Sequence, residues 1–257
     1  TDGDLNVGLS SESELTRLIE EKRESGVFLS VLGFGTGNYK DNRLEALADY
    51  GNGNYSYIDS EKEAKKVLVD EMSGTLFTVA KDVKFQLEFN PANVKGYRLI
   101  GYENRVMAAE DFNDDTKDAG EIGAGHSVTV LYEIVPADSK MELGESELKY
   151  ASDSEGVMGD ELLTVNIRYK EPEGSESKLL TYPVNKSLYS DKMSADMNFA
   201  SCVAEFGMLL RNSRYIGDIT YKDVSAQLSK YDYSDDDYKD EFIYLVNTMK
   251  RRDTNFQ

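Results

Sequence analysis

Cysteine and histidine are almost missing from this sequence, which has one of each among 257 residues, and tryptophan is absent. A single cysteine excludes a disulfide within the chain and a zinc site built from several thiolates. With one histidine, neither a histidine-rich metal site nor a Ser-His-Asp triad is expected. Long apolar runs are also missing, so we predict no transmembrane segment in this chain. Any ligand chemistry is therefore expected to use oxygen atoms.

Positive charge is scarce as well. The chain has 29 Lys and Arg against 48 Asp and Glu, which gives a net charge of −19. Because nucleic-acid binding needs clustered Lys and Arg to neutralise phosphates, this balance predicts no nucleic-acid partner. It also disfavours docking on an anionic membrane surface. The hydrophobic fraction of 40% is sufficient for a packed core, and the length suits one large domain or two ordinary ones.

Residues 1–80 alternate between helical and strand patterns. Capping boxes at Ser11 and Ser60 predict the starts of two helices. The continuous apolar run at 27–32 predicts a strand buried on both faces, as in a parallel sheet, and a second strand is predicted at 54–59. The last helix is expected to carry one apolar face, formed by Ala64, Val67, Leu68 and Met72.

From residue 81 the apolar side chains alternate with polar ones, which is the period of half-buried antiparallel strands. In the first such strand Lys84 falls on the polar face. Pro183 cannot donate a backbone hydrogen bond, so the last strand is expected at a sheet edge. The predicted strands are 83–89, 128–134, 163–169 and 179–184.

Beyond residue 190 the helical period returns, with one apolar stripe predicted at Phe199, Val203, Phe206 and Leu210. Acidic residues at 235–237 suit the N-terminus of a final helix. The predicted fold class is α+β with several domains. These are an α/β segment over 1–80, an antiparallel β-sandwich-like domain over 81–190, and a helical segment over 191–257 packed on the β domain.

The acidic N-terminal segment is the first candidate site. Asp2, Asp4 and Asn6 have the spacing of a calcium loop, but an EF-hand needs Gly where Val7 stands and Glu where Ser13 stands. The EF-hand interpretation therefore fails. Asp2 follows a short strand and precedes a helix, which is where open α/β sheets bind ligands. We interpret Asp2 as a site residue, and Asp4 and Asn6 as turn residues.

Other polar features have simpler interpretations. The acidic segment 111–117 is predicted to be a solvated loop, and the glycine-rich segment 33–38 matches neither nucleotide-binding fingerprint. His126 is expected at a strand start in a structural or surface role. Cys202, on an apolar helix side, is expected to act as a small hydrophobe. These residues form no catalytic acid–base pair or activated nucleophile, so we predict that the chain is not an enzyme.

Several segments resemble one protein family. TDGDLNVG (1–8), GFGTGNY (33–39) and LADYGNGNY (47–55) resemble the C-terminal half of a von Willebrand factor type A domain. A bacterial branch of that superfamily is similar over more of the chain. In that branch a type A domain precedes a C-terminal domain of unknown function, and some members carry a calcium-activated chloride channel-like label. The segments that resemble it are DVKFQLEFNP (82–91), YRLIGYENR (97–105), DAGEIGAGH (118–126) and FGMLLR (206–211).

This resemblance implies that residues 1–80 are the C-terminal part of a doubly wound type A domain. Such domains carry a metal-ion-dependent adhesion site, in which an Asp-x-Ser-x-Ser motif, a distant Thr and a later Asp hold a divalent ion, usually Mg²⁺. Asp2 corresponds to the later Asp, and the other ligands would lie upstream of Thr1. Because one carboxylate holds Mg²⁺ poorly, we expect Mg²⁺ in the full-length protein and no specific metal on this chain alone.

The function implied is a non-enzymatic, adhesion-type module of the bacterial cell envelope that binds a protein ligand. The resemblance places it in the periplasm or on the surface, with a lipoprotein anchor through upstream residues. The alternative is a structural scaffold or assembly protein whose function resides in the β and helical region, with the type A site vestigial or regulatory. We also expect a second copy or another neighbouring molecule to cover the exposed edge of the incomplete sheet.

Overall fold

The computed structural model describes residues 1, 3, 12–36, 40–102, 105–142, 156 and 159–253. Spatial contacts divide the chain into two compact units. The first comprises Thr1–Glu88, Met107–Val128 and Thr164–Tyr182, and the second comprises Phe89–Val106, Thr129–Leu163 and Pro183–Gln257. The predicted domains 1–80, 81–190 and 191–257 follow the order of the sequence instead, and they stay a prediction.

The first unit begins with alternating helices and strands, as predicted. Strand β1 (Leu29–Gly33) pairs in parallel with β2 (Asn52–Tyr57), with Leu29 opposite Asn52 and Gly33 opposite Tyr57. The predicted α/β character of this segment is therefore confirmed. The elements are α1 (Glu12–Glu24), β1 (Leu29–Gly33), α2 (Asp41–Tyr50) and β2 (Asn52–Tyr57).

A small hydrophobic core joins α1, β1 and α2. It consists of Ile19, Val31, Leu44, Leu47 and Ala48. The predicted burial of the 27–32 run on both faces is wrong, because Val27 is 58% exposed and Leu29 is 38% exposed. Helices α1 and α2 bury Val31, whereas no described element buries Val27 or Leu29.

A broken helix follows β2. Ser60 caps α3 (Glu61–Lys65) by accepting a hydrogen bond from the Glu63 backbone N–H at 3.2 Å. A π-helical turn (Lys66–Asp70) and α4 (Met72–Leu76) continue the chain. The predicted apolar face is only partly buried, since Ala64 and Val67 are half-buried whereas Leu68 and Met72 are each 47% exposed.

Strands β3 (Thr78–Phe89), β5 (Gly120–Gly123), β7 (Glu161–Lys170) and β8 (Lys178–Asn185) form a four-stranded sheet in the order β5-β3-β7-β8. The predicted strands at 83–89, 163–169 and 179–184 are confirmed, and Pro183 lies in the outermost strand as expected. Strand β3 pairs antiparallel with β5.

Lys84 departs from the alternating pattern of β3. It is only 4% exposed, and its Nζ donates to the carbonyl oxygens of Asp111 at 3.2 Å and Asp114 at 2.5 Å. These carbonyls belong to a segment that contains a 3₁₀ helix (Ala109–Asn113) with Phe112 buried. The predicted solvated loop at 111–117 is therefore wrong in part. The segment buries Lys84, and carbonyl oxygens satisfy the buried ammonium.

The second unit contains a two-stranded antiparallel sheet and three helices. Strand β4 (Val94–Ile100) pairs with β6 (Leu131–Pro136), with Tyr97 opposite Ile134. The strand predicted at 128–134 thus begins three residues later. The helices are α5 (Ala195–Leu210), α6 (Tyr221–Leu228) and α7 (Asp237–Asp253). Each helix of the described chain is too short or too polar to cross a lipid bilayer.

The three helices share one core. Val203 is 43% exposed and Leu210 is 53% exposed, so the predicted stripe is wrong at two of its four positions. Aromatic packing explains the shift, because the rings of Phe199 and Phe206 each lie edge-on to Phe242 at centroid distances of 5.3 and 5.4 Å. The buried residues of this core are Cys202, Val224, Leu228, Tyr233 and Val246.

The acidic start of α7 is a helix cap, as predicted. Asp236 accepts hydrogen bonds from the backbone N–H groups of Tyr238 at 3.0 Å and Lys239 at 3.1 Å. These bonds hold the pKa of the Asp236 carboxyl below its ordinary value. The cluster at 235–237 therefore has a structural explanation in the helix terminus.

Gly207 offers a test of helix packing in the second unit. It lies in α5, and a Cβ added to it would meet no atom within 4 Å. We expect Gly207→Ala to raise the free energy of unfolding by about 0.5–1 kcal/mol, because alanine loses less backbone entropy than glycine. Urea unfolding followed by circular dichroism measures this change.

Gly217 is the matched control for this substitution. It also has open space around it, but its φ is +61°. Gly217→Ala should lower stability by about 1 kcal/mol, because an L-residue is strained in that conformation. A Gly207→Ala protein less stable than the parent would show that α5 does not tolerate a side chain there.

Candidate functional site

The start of the chain extends the parallel sheet. The Thr1 nitrogen donates to the carbonyl oxygen of Leu32 at 3.0 Å, and the Phe34 N–H donates to the carbonyl oxygen of Thr1 at 2.7 Å. This pair of bonds is a parallel bridge that places Thr1 beside Gly33. Thr1, β1 and β2 therefore end at one edge of the sheet, called the sheet edge below.

Gly3 turns the chain at the sheet edge. Its φ is +88°, and an added Cβ would lie 2.8 Å from the Cβ of Lys40, so only glycine fits without a shift. The Gly3 N–H donates to Thr1 Oγ1 at 3.2 Å. Arg43 Nη1 donates to the Gly3 carbonyl at 3.4 Å, and Arg43 Nε is buried with no hydrogen-bond partner in the described chain. The sheet edge thus combines a hydroxyl with a cationic donor.

Asp2, the predicted metal ligand, lies outside the described residues, as do Asp4 and Asn6. In the sequence Asp2 stands between Thr1 and Gly3, directly after the bridge to β1. The carboxyl ends of parallel strands are where open α/β sheets bind ligands. One carboxylate does not make a complete magnesium site, since Mg²⁺ requires near-octahedral oxygen coordination. The assignment of Asp2 stays a prediction.

A second group of polar side chains was not anticipated from the sequence. Asp82, Asp118 and Glu121 each offer a carboxylate oxygen, and these oxygens lie within 4.8 Å of one another. We call this group the carboxylate cluster. Asp82 has a φ of +49° and lies at an irregularity in the β3–β5 register. Bulges of this kind occur next to functional sites, where they redirect a side chain.

Two cationic side chains and one amide side chain contact the carboxylate cluster. Lys170 Nζ lies 2.6 Å from Asp82 Oδ2, and Arg23 Nη1 lies 2.9 Å from Asp118 Oδ2. Asn52 Nδ2 donates to Asp118 at 3.2 Å and to Glu121 at 3.5 Å. Among these contacts, Asp82 and Asp118 each have a cationic partner, whereas Glu121 has the amide of Asn52.

Glu121 is the most perturbed member of the carboxylate cluster. Its Oε2 is buried and has no hydrogen-bond partner in the described chain. Burial raises the pKa of Glu121 to about 7, and the charges of Asp82 and Asp118 act in the same direction. Burial likewise raises the pKa of Asp118 above its ordinary value. The arrangement can hold a proton near neutral pH, and its oxygen donors are of the kind that hard cations prefer.

The lone histidine, His126, lies in the first unit, and the lone cysteine, Cys202, lies in the second. His126 lies exposed in the turn after β5, rather than at the start of a strand as predicted. Its ring lies against Gly74, where an added Cβ would be 2.2 Å from His126 Cδ2. Cys202 is fully buried, and burial raises the pKa of its thiol to about 11. Its predicted role as a small hydrophobe is confirmed.

These features define a mixed α/β protein with a parallel sheet edge in one unit and a helical core in the other, which confirms the predicted fold class. Residues 74–251 match the family described as "Uncharacterized protein YfbK, C-terminal". The chain belongs to this family.

Two known proteins are similar to the chain. The "Uncharacterized protein YfbK" of Escherichia coli (strain K12) is 43% identical over 251 residues, which cover 96% of this chain and 43% of that protein. The chain thus spans less than half the length of this curated relative. The crystal structure of the ArnB paralog VWA2 from Sulfolobus acidocaldarius is 13% identical and covers 82% of this chain and 51% of that chain, with a TM-score of 0.39.

Proposed function

We propose that the chain is the C-terminal part of a bacterial cell-envelope protein that binds a protein ligand through a metal-ion-dependent adhesion site. In this proposal Asp2 supplies one Mg²⁺ ligand, and residues upstream of Thr1 supply the others. The open coordination position accepts a carboxylate from the partner. The proposal includes no catalytic step.

The parallel bridge between Thr1 and Gly33 supports the proposal most directly. It puts the residue before Asp2 at the carboxyl end of a parallel sheet, the position that binds ligands in open α/β folds. Arg43 at the same edge offers a guanidinium that suits an acidic partner group. Oxygen ligands agree with a chain that has one cysteine and one histidine.

The test uses a longer protein in which this chain follows its natural upstream sequence. Mg²⁺ binding is measured by isothermal titration calorimetry, and capture of a protein ligand from an envelope extract is measured with and without a chelator. We expect Asp2→Ala to weaken Mg²⁺ binding by more than about tenfold. Mutating a residue that only supports a metal ligand already lowers metal affinity by about that factor, and removing a direct ligand should lower it at least as much. Capture of the protein ligand that is sensitive to the chelator should also disappear in the Asp2→Ala variant.

Asp4→Ala is the matched control, since it removes the same charge two residues away. It should leave both measurements unchanged if Asp4 is a turn residue. Equal losses in the two variants would mean that the effect is one of overall charge. Mg²⁺ binding that survives Asp2→Ala would remove Asp2 from the site.

A second candidate function places the activity in the β and helical region. The family match covers residues 74–251 and leaves out most of the parallel-sheet segment. This favours a scaffold or assembly protein whose type A site is vestigial or regulatory. Ligand capture that depends on residues 74–251 and is insensitive to both Asp2→Ala and chelator would support the scaffold over the adhesion site.

A further inference from the structure

We propose that the carboxylate cluster is a proton-sensitive switch: while it binds a proton it holds the start of strand β5 against β3 and β2, and loss of this proton releases the start of β5. The start of β5 means residues 119–121 below. The cluster and its partners all belong to the first unit. They meet β2 at Asn52, its first residue, at the end opposite to the sheet edge. The proposal therefore does not depend on the proposed function.

Strand β5 is short, and its pairing with β3 is irregular. It has four residues and lies at the edge of its sheet. The register against β3 shifts twice, and the pair nearest to the start of β5 is Val83 with Gly120. An edge strand with an interrupted ladder has few backbone hydrogen bonds to hold it, so it opens at low cost in free energy. The start of β5 therefore depends on side-chain contacts more than a regular strand does.

The far end of β5 is held by close backbone packing. A Cβ on Gly123 would lie 1.5 Å from the carbonyl oxygen of Gly74, so the two backbones are in direct contact. The Ala124 N–H donates to the carbonyl oxygen of Phe77 at 2.7 Å. These contacts involve no titratable group. A change of pH therefore leaves them as they are.

The start of β5 is held by the carboxylate cluster. The Ala119 N–H donates to Asp82 Oδ1 at 3.2 Å, which joins the start of β5 to β3. Asn52 Nδ2 donates to Asp118 at 3.2 Å and to Glu121 at 3.5 Å, which joins it to β2. Each of these contacts uses a carboxylate of the cluster. The protonation of the cluster therefore acts directly on what holds this end of the strand.

Glu121 is the member of the cluster that takes the proton. Its Oε2 is buried and has no hydrogen-bond partner in the described chain. Burial, together with the charges of Asp82 and Asp118, raises the pKa of this carboxyl to about 7. Lys81 and the backbone of Asp82 have smaller effects in the opposite direction. Without the proton, three negative charges lie close together at the start of β5, one of them on a poorly solvated group.

The other elements around the cluster place their cations on the two aspartates. Arg23 of α1 and Lys170 of β7 form ion pairs with these aspartates. Strand β2 contributes the neutral amide of Asn52, and helix α4, which packs against β5, has no titratable side chain. Water is the solvent that an ionised Glu121 lacks here, and it reaches Glu121 when the start of β5 separates from its neighbours.

The direction of the pH effect follows from the two states. While the start of β5 is docked, Glu121 keeps its proton up to about pH 7. After release, water surrounds this carboxyl, and it loses the proton near its ordinary pKa of 4.5. Release is thus coupled to proton loss and becomes more favourable as the pH rises from about 4.5 to 7. The start of β5 is held firmly in acid and loosens near neutral pH.

Two amides at opposite ends of β5 provide the test in the 257-residue chain. NMR measures the hydrogen-exchange rates of the Ala119 and Ala124 N–H groups at pH 5 and pH 8. Comparison with unstructured peptides at the same pH gives protection factors that are free of the intrinsic effect of pH. We expect the protection factor of Ala119 to be about three- to tenfold lower at pH 8, an effect reduced by the partial exposure of Glu121. Ala124 should stay more protected than Ala119 at both pH values.

Urea separates a local release from unfolding of the whole unit. A local opening exposes little surface, so its free energy is almost independent of urea. The protection factor of Ala119 should therefore be the same with and without about 1 M urea at each pH. Global unfolding would instead lower the protection of both amides as urea is added.

Charge-neutralising variants complete the experiment. In Glu121→Gln the protection factor of Ala119 should be equal at pH 5 and pH 8, because the titrating group is gone. Glu110→Gln is the matched control, since it removes an exposed carboxylate from the 3₁₀ helix and should keep the pH response of the parent. If Glu121→Gln does not fold, the comparison of the two amides in the parent chain still decides the question.

Three results would overturn the proposal. The first is a protection factor of Ala119 in the parent chain that is equal at pH 5 and pH 8. The second is an equal, urea-dependent loss of protection at Ala119 and Ala124, which would mean global unfolding. The third is a pH response of Ala119 that survives in the Glu121→Gln variant.

Discussion

Replacing Gly123 with alanine is expected to destabilise the protein by about 3 kcal/mol, near the upper end of overpacking effects. A Cβ at Gly123 would lie 1.5 Å from the carbonyl oxygen of Gly74. The clash is with backbone, so no side-chain rotation relieves it. Strand β5 and helix α4 would have to separate. Thermal unfolding should show a midpoint lower by about 6–10 °C.

Gly120→Ala is the control for this prediction. Gly120 lies in the same strand, and a Cβ there would meet no atom within 4 Å. We expect its unfolding midpoint to stay within about 2 °C of the parent value, since only a small backbone-entropy effect remains. Equal midpoints for the Gly123→Ala protein and the parent would contradict the close approach of β5 to α4.

Replacing Glu121 with glutamine is expected to stabilise the protein at pH 8 by about 1–2 kcal/mol and to have a much smaller effect at pH 5. In the folded protein the pKa of Glu121 is about 7, above its ordinary value of 4.5. The folded state therefore keeps a proton that the unfolded state releases between these values. Stability falls as the pH rises from about 4.5 to 7, and the loss is complete above pH 7.

The expected stability gain is smaller than the full pKa shift of Glu121 would give, because Glu121 is partly exposed and water screens its charge. Glutamine removes the charge and keeps an oxygen that can accept the hydrogen bond from Asn52. Urea unfolding at pH 5 and pH 8 measures the difference between variant and parent at each pH.

Glu110→Gln is the matched control for the pH measurement. Glu110 is exposed in the 3₁₀ helix outside the carboxylate cluster. Its replacement should shift stability equally little at both pH values. A Glu121→Gln protein whose stability gain is the same at pH 5 and pH 8 would show that the carboxylate of Glu121 is not the titrating group.

Local features of the fold were predictable because neighbouring residues determine them. Ser60 and Asp236 cap helices through bonds to backbone groups two or three residues away. Alternation of apolar side chains predicted β3 and β7, and Pro183 predicted that β8 is the outer strand of its sheet. Cys202 was predicted to be buried from the apolar residues around it.

Burial was predicted less well, because it depends on what a segment packs against. Lys84 occupies a polar position in β3, yet the carbonyls of Asp111 and Asp114 cover it. Val203 belongs to an apolar stripe, yet the aromatic contacts of Phe199 and Phe206 turn the helix so that Cys202 is buried in its place. The periodicity of apolar residues predicts that a strand or helix has an apolar face. It does not show which residues another element covers.

The carboxylate cluster shows the same limit for sites. All three carboxylates lie in segments that the family resemblance singled out, 82–91 and 118–126, but neither segment shows that Asp82 meets Asp118, 36 residues further along the chain. A bulge in β3 brings Asp82 to them. Recognition of the cluster requires the register of β3 against β5, which a single sequence does not contain.

The sequence by itself determined the acidic, cysteine-poor character of this protein, its α/β and antiparallel segments, and its resemblance to type A domains, because composition, period and local motifs carry that information. The tertiary structure decided that Thr1 bridges to β1, that three distant carboxylates converge, and that the ring of His126 lies against Gly74. Each of these depends on pairing or packing between residues far apart in the chain, where the free energy of contact, rather than local preference, selects the neighbour.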